Sequence, residues 1–465
     1  MSITGAACTA RYNRRILIFA CRLMRIQSVC LGFAVAIFFA APIYSQSPVA
    51  SALSSSAEAI YRDAKPRLLQ IRTLLNSASQ KSSTGSGFLV SAGGLAITNY
   101  HVVSQHAMEP QTYRMEYVSA DGTRGKLKLL AFDVINDLAL VQLDKGGWTH
   151  FEFDQRALKG ELPRGEKLFS LGNPLDIGFA VMEGNYSGLV ERSYGERIHL
   201  SGPMNPGMSG GPTLAGSSRI AGVNVAKASR AEQVSFLVPA KYAAALISRP
   251  RLPDPMTGNI TRAEITRQLM AWQNELYVVL ESKGFKATPN GPYRVPESAA
   301  EWFTCGAHTN ADAKPAPRAR ADSSSCAMQN WLFLAGDLYT GNVRIARNHF
   351  KSIDLNSFQF ANFVSHSTRL SGDESNVKRF TPPACFEDIV IAGEPIAKAS
   401  HPRLRVMWCA SAYRDLEGLF NVSMMAVTQD RSDEAVAMTL SMSGTSYENA
   451  TRFAKRFLSE LTVAQ

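Results

Sequence analysis

From residue 58 to about residue 248 the chain never sustains a long amphipathic helical pattern. It breaks instead into short apolar runs closed by glycine or polar residues. These are RLLQIRTLL (67–75), GSGFLVS (85–91), GLAITNYHVV (94–103), LALVQL (138–143), EKLFSLG (166–172) and RIAGVNVA (219–226). Leucine-rich and β-branched segments of this length, bounded by turn residues, read as strands. Many short strands over roughly 190 residues, with no long helix between them, restrict the segment to an all-β barrel or sandwich.

The whole chain has 465 residues, too many for one ordinary core, so two or three domains are expected. Its 45% hydrophobic and 19% charged content is that of a soluble globular chain. The first 45 residues contain Arg11, Arg14, Arg15, Arg22 and Arg25 but no lysine or acid. They are followed, from residue 28, by SVCLGFAVAIFFAAPI, an apolar core of signal-peptide length and short for a membrane span. An export signal over 1–45 with cleavage near Ser45 is expected, which makes the protein periplasmic or secreted. The IYS site is imperfect, so an uncleaved membrane anchor is the rival reading. A start at Met24 would give an ordinary short signal and leave 1–23 as a surplus extension. Without the five arginines the net charge falls from +10 to +5, with no basic block, and no nucleic-acid partner is expected.

Cys8, Cys21 and Cys30 fall in the removed segment and leave Cys305, Cys326, Cys385 and Cys409. In an oxidising compartment four cysteines allow two disulfides in three pairings. The sequence-local pairing, Cys305 with Cys326 and Cys385 with Cys409, is expected. A zinc site is the rival, disfavoured because zinc ligands usually come in closely spaced pairs.

The stretch GPMNPGMSGGP (202–212) sets Ser209 among glycines and prolines. Alone it could be a structural turn. A serine hydroxyl becomes a nucleophile at neutral pH only when a base takes its proton and a third group holds the base. ITNYHVV places His101 at a strand end, where a side chain can face a cleft. DVINDLALVQL places Asp137 just before an apolar strand, where a carboxylate can be partly buried beside an imidazole. His106, His150 and His199 sit in no comparable motif and are read as ordinary polar residues.

The order His, Asp, Ser, with TNYHVV, NDLALV and NPGMSGGP at spacings of 36 and 72 residues, resembles the HtrA/Deg branch of the chymotrypsin-like serine proteases. The resemblance covers about residues 58–248. It implies a double β-barrel with a cleft between the barrels. Ser209 would attack the carbonyl carbon, His101 would take and return the proton, and Asp137 would fix the imidazole tautomer. The backbone N–H groups of Gly207 and Ser209 would form the oxyanion hole. In chymotrypsin-like folds the base of the specificity pocket lies six residues before the serine, here Pro203. The wall would come from GVNVA (222–226), with Asn224, Val225 and Ala226, and from VSFLVP (234–239). None of these is acidic, so cleavage after small or medium aliphatic residues is expected. Of Val223, Val225, Phe236 and Val238, about half are expected to be plain barrel core.

After residue 248 the family pattern ends, and no peptide-binding PDZ module is recognised. The expected organisation is a linker over 46–57, a protease domain over 58–249, a linker over 250–260 and an α+β domain over 261–465. That last part begins with an amphipathic helix (261–285), with Thr261 and Glu264 as a capping box, Gly284 as its stop and Ile265, Leu269, Trp272, Leu276 and Leu280 as its apolar stripe. A Pro/Ala/Ser-rich loop is expected near 306–327. A three-strand meander (404–413, 419–428, 435–443) and a closing helix (445–461) with Phe453, Phe457, Leu458 and Leu461 on one face complete it.

The fold class is therefore multidomain, an all-β double barrel followed by a smaller α+β domain. The favoured function is an exported serine endopeptidase acting on protein or peptide substrates without metal or cofactor, with a homo-oligomer as one assembly. The alternative is a catalytically inactive, protease-like binding protein whose C-terminal domain carries the interaction. An esterase is disfavoured because its G-x-S-x-G elbow precedes Asp and then His.

Overall fold

The computed structural model describes residues 55–464 apart from 79, 228–232, 299, 337, 370–377 and 392–400. The expected export signal and most of the linker after it lie outside the described residues. The rest of that linker, 55–57, opens helix α1 (Ser55–Ala64), whose Ala57, Ile60 and Ala64 are buried.

Two closed antiparallel barrels follow. The first contains β1 (Leu68–Leu75), β2 (Lys81–Leu89), β3 (Leu95–Thr98), β4 (Tyr113–Ser119), β5 (Arg124–Asp133) and β6 (Leu138–Leu143), in the order β1-β2-β3-β6-β5-β4. The second contains β7 (Lys167–Gly172), β8 (Ala180–Leu189), β9 (Ile198–Ser201), β10 (Pro212–Ala215), β11 (Ile220–Lys227) and β12 (Val234–Pro239), in the order β10-β11-β12-β9-β8-β7. The strand expected over 94–103 stops at Thr98, and helix α2 (Tyr100–Met108) takes over. Short helices α3 (Gln155–Lys159) and α4 (Ala240–Ile247) complete this part. Closing each sheet removes its edges, which is why runs such as LALVQL can be buried almost throughout.

The α+β region begins with α5 (Gly258–Lys283), one turn before the expected start. Thr257 caps it by accepting the Ile260 N–H, and the proposed Thr261/Glu264 box does not form. Thr261 is fully buried and its hydroxyl bonds the Ala107 carbonyl, while Glu264 is drawn to Arg267 and Gln268. The stripe Ile265, Leu269, Trp272, Leu276 and Leu280 is buried as expected, and Gly284 ends the helix at a φ of 72°. The linker expected at 250–260 is packed rather than free: Leu252 N–H donates to the Leu130 carbonyl at 2.7 Å.

The segment read as a loop at 306–327 is largely strand. β15 (Phe303–Thr309) and β16 (Ala319–Met328) pair, with β13 (Phe285–Asn290) and β14 (Tyr293–Ser298) before them. Serine and alanine are weak strand formers, but pairing of β16 with β19 (Val343–Ser352) and the Cys305–Cys326 disulfide between directly opposed residues override that preference. β17 (Leu332–Ala335) and β18 (Leu338–Thr340) form a separate hairpin. After helix α6 (Ser357–Ser367) come β20 (Ala384–Ile391), β21 (Arg403–Ala412), β22 (Phe420–Thr428), β23 (Glu434–Thr445), helix α7 (Tyr447–Ser459) and β24 (Thr462–Val463). The expected meander is β21-β22-β23, inside a seven-stranded sheet of order β15-β16-β19-β23-β22-β21-β20. The Cys385–Cys409 disulfide joins β20 to β21. With their sulfurs bonded to each other, none of these four cysteines is a zinc ligand.

The barrels and the α+β region belong to one unit, Leu53–Gln465. One apolar core runs without a break from first-barrel residues such as Ile71, Tyr117 and Val141, through Val102 and Val103 of α2, to Leu269 and Leu276 of α5 and Leu334 of β17.

Candidate active site

Helix α2 needs partners for the N–H groups of its first turn. Its N-cap, Asn99, supplies none from its side chain, which donates instead to the Asp137 carbonyl at 2.7 Å. The acceptor comes from Asp137, held at a φ of 59° just before β6. One carboxylate oxygen accepts the His101 backbone N–H at 2.8 Å, and the other meets His101 Nδ1 at 2.7 Å. The same carboxylate therefore caps the helix, where an anion is favoured, and fixes the imidazole. Nδ1 being engaged, Nε2 is the free ring nitrogen. Burial pushes the His101 pKa down, but the charge of Asp137 and its hydrogen bond outweigh that and hold it above the ordinary histidine value.

The loop carrying Asp137 is itself tied down. Asp133, almost fully buried, accepts the N–H groups of Ile135 and Asn136 at 3.0 Å each and pairs with Arg249 at 2.6 Å. Gln268 of α5 accepts the Val134 N–H and donates to the Phe132 carbonyl, both at 2.9 Å. Arg197 donates to the Ile135 carbonyl at 3.3 Å and adds positive charge near Asp137.

Ser209 lies in the turn between β9 and β10. A side chain at Gly207, at a φ of 94°, would collide with the Asn173 carbonyl, and one at Gly210, at 83°, with the Ser86 carbonyl and Thr98. Only glycine fits either position. Ser86 grips the loop from the first barrel: its N–H donates to the Ser209 carbonyl at 2.8 Å, and its hydroxyl donates to the Gly207 carbonyl at 2.6 Å and accepts the Asn173 N–H at 2.9 Å. The loop and the start of α2 meet here. A β-carbon at Gly210 would come within 2.8 Å of Asn99 N, and one at Gly85 would strike Val102 and approach the Ser209 carbonyl to 3.0 Å. The Ser209 hydroxyl donates to the Val225 carbonyl at 3.3 Å rather than to the imidazole. Among the described backbone hydrogen bonds, the N–H groups of Gly207 and Ser209 have no acceptor.

Asn224 is not at a pocket surface. It is fully buried under the serine loop, where its amide donates to the Leu171 and Met208 carbonyls at 2.9 and 3.2 Å and accepts from the Thr213 hydroxyl at 2.6 Å. Val225 is the bulged residue between the paired Asn224 and Ala226, and it is half-buried, as is Phe236 opposite Ala226. Pro203 is exposed. Val223 and Val238 are fully buried barrel core. His106 bonds the Tyr113 carbonyl at 2.7 Å, away from this constellation.

Sequence reasoning missed the groups that support the site. Ser86 and Gln268 carry no motif, and Phe333 of β17 approaches His101 edge-on, with ring centroids 6.1 Å apart, from 232 residues further along. Beneath it the buried Tyr100 hydroxyl donates to the Leu334 carbonyl at 3.0 Å.

Residues 85–223 match the trypsin-like peptidase domain family. The chain is 30% identical over 210 residues to a putative serine protease, HhoB, of Synechocystis, covering 42% of this chain and 48% of that protein. It is 28% identical over 226 residues to a probable periplasmic serine endoprotease, DegP-like, of Bartonella henselae, covering 46% and 42%. The solved serine endoprotease of Yersinia pestis shares 21% identity, covers 42% of this chain and 66% of that one, and superposes with a TM-score of 0.36. The chain spans about half the length of the curated relatives it matches, and the family and sequence matches support the resemblance to HtrA/Deg proteases.

Proposed function

We propose that the protein is a serine endopeptidase in which Ser209, His101 and Asp137 act as nucleophile, general base and orienting acid. One observation carries this reading: the Asp137 carboxylate holds His101 Nδ1 and the His101 N–H at once, beside the glycine loop that bears Ser209. In the proposed reaction the serine hydroxyl turns from the Val225 carbonyl to His101 Nε2, a side-chain rotation that is fast against any catalytic step. Oγ then bonds the substrate carbonyl carbon as its proton passes to Nε2. The oxyanion is received by the N–H groups of Gly207 and Ser209, and losing one such donor costs on the order of 3 kcal/mol in the transition state. Collapse breaks the C–N bond, His101 returns the proton to the departing amine, and water deacylates the serine by the same route.

The residue whose bond is cut would sit against Pro203, Val225 and Ala226. No carboxylate comes from these segments, so the expected preference is for small or medium aliphatic side chains, without preference for Lys or Arg. Two disulfides suit an oxidising compartment, and we place the protein outside the cytoplasm on that ground and on its signal-like first 45 residues. Among the described residues no helix is long and apolar enough to cross a membrane.

Labelling with a fluorophosphonate tests the reading. Ser209 should be modified in the wild type and far more slowly in His101→Ala. A wild-type serine that stays unmodified in the folded protein would leave a protease-like binding protein instead.

A further inference from the structure

The β17–β18 hairpin is built with two unlike faces. Leu332, Leu334, Leu338 and Thr340 point inward and are buried, whereas Phe333 is half-buried and Tyr339 is half exposed. Phe333 and Tyr339 are register partners, and their rings meet edge-on with centroids 5.4 Å apart. The row continues to the His101 imidazole, 6.1 Å from Phe333. The hairpin is held by its buried leucines and by the bond from Tyr100 to the Leu334 carbonyl. An aromatic strip thus runs from solvent to the general base, supplied by the α+β region.

An exposed tyrosine ring continued by a half-buried phenylalanine beside a reactive centre points to something that covers them in use. A polypeptide being cut lies extended, and its successive side chains point to opposite sides. If the side chain of the cut residue enters the second-barrel pocket near Pro203 and Val225, that of the residue before it points the other way, toward His101. There it meets Phe333 and Tyr339. We propose that these two residues form a substrate subsite selecting a large apolar side chain, aromatic or branched aliphatic, at the position preceding the cut residue. This inference rests on the serine-protease reading above. It gives the α+β region a direct part in choosing substrates: unfolded segments with two consecutive apolar residues, rather than any exposed aliphatic one.

The test uses the full chain and peptidyl diphenyl phosphonates ending in the valine analogue, with leucine or aspartate at the preceding position. The rate of Ser209 modification is followed by intact mass. Leucine buries apolar surface against the two rings where aspartate would lose hydration without a partner, so the leucine probe should react roughly three- to tenfold faster with the wild type. Phe333→Ala and Tyr339→Ser should both shrink that ratio to about twofold or less. Tyr339 is half exposed, so its variant keeps the test informative if Phe333→Ala fails to fold. Phe358→Ala, which removes an exposed ring on α6, should keep the wild-type ratio. A wild-type ratio near one, a ratio kept in both hairpin variants, or failure of both peptidyl probes while a small fluorophosphonate still modifies Ser209 would overturn the subsite alone. Failure of every probe, the fluorophosphonate included, would take down the serine-protease reading and the subsite with it.

Discussion

The two barrels lean on different parts of the chain. The second barrel shares its core with α1, α4 and the facing strands of the first barrel, and among the described residues nothing beyond Ile247 enters that core, although Tyr194 between β8 and β9 rests on Trp272 and Trp302. The first barrel is packed from behind by α5 and the β17–β18 hairpin, in a core that continues to Phe453 and Phe457 of α7. Ser209 is accordingly braced from within the two barrels, by Ser86 and Asn224, whereas the segments carrying His101 and Asp137 also take contacts from the α+β region, at Leu334 and Gln268. The position of Ser209 is a property of the two barrels and the glycine loop between them. The positions of His101 and Asp137 draw on the whole unit, so in the proposed mechanism the α+β region is part of the scaffold that holds them.

The largest effect should come from the pair the first barrel holds in register. Asp137→Asn keeps an acceptor oxygen but turns an N–H toward the imidazole, favouring the wrong tautomer. kcat should fall about ten-thousandfold with the fold intact. An effect below tenfold would mean that Asp137 is only a helix cap. Next is the shared core. Leu276→Ala should cost about 2–5 kcal/mol in denaturant unfolding. If the first barrel and the α+β region form one cooperative unit, hydrogen exchange should quicken in α2 as well as α5 and leave β10 and β11 unchanged. Quickening confined to α5 would break the comparison.

A smaller effect is expected of Gln268→Ala, which strips partners from the Val134 N–H and the Phe132 carbonyl and costs about 1–3 kcal/mol. Because Gln268 acts through the loop that carries Asp137, kcat should fall while KM holds. A change in KM alone would argue against that positioning role. The mildest prediction concerns pH. As the proposed base His101 must be neutral, so kcat/KM should drop as pH falls through its raised pKa, with the midpoint above the ordinary histidine value. Asp137→Asn should move that midpoint down.

What could be read from the sequence follows the same division. His101, Asp137 and Ser209 each sit in a short motif whose residue types the proposed chemistry demands, and the strand runs around them carry their own turn signals. Asn224 lies under the serine loop rather than on a pocket wall because its amide pairs with the Leu171 and Met208 carbonyls and the Thr213 hydroxyl, partners that residue types alone do not announce. The Ser/Ala-rich β16 carries little strand preference of its own and becomes a strand through its neighbours on both sides. α5 starts one turn before Thr261 because two threonines offer the same capping chemistry, and the packing of Thr261 against Ala107 leaves Thr257 as the cap. The support of Gln268 and the approach of Phe333 are products of long-range packing and leave no local trace.

The most direct measurement is digestion of an unfolded protein such as casein by the purified chain beside Ser209→Ala, with cleavage sites read by mass spectrometry. The account predicts cuts after aliphatic residues and a loss on the order of a million-fold in the variant. Equal digestion by both proteins, or an inert wild type whose Ser209 also resists a fluorophosphonate, would contradict it.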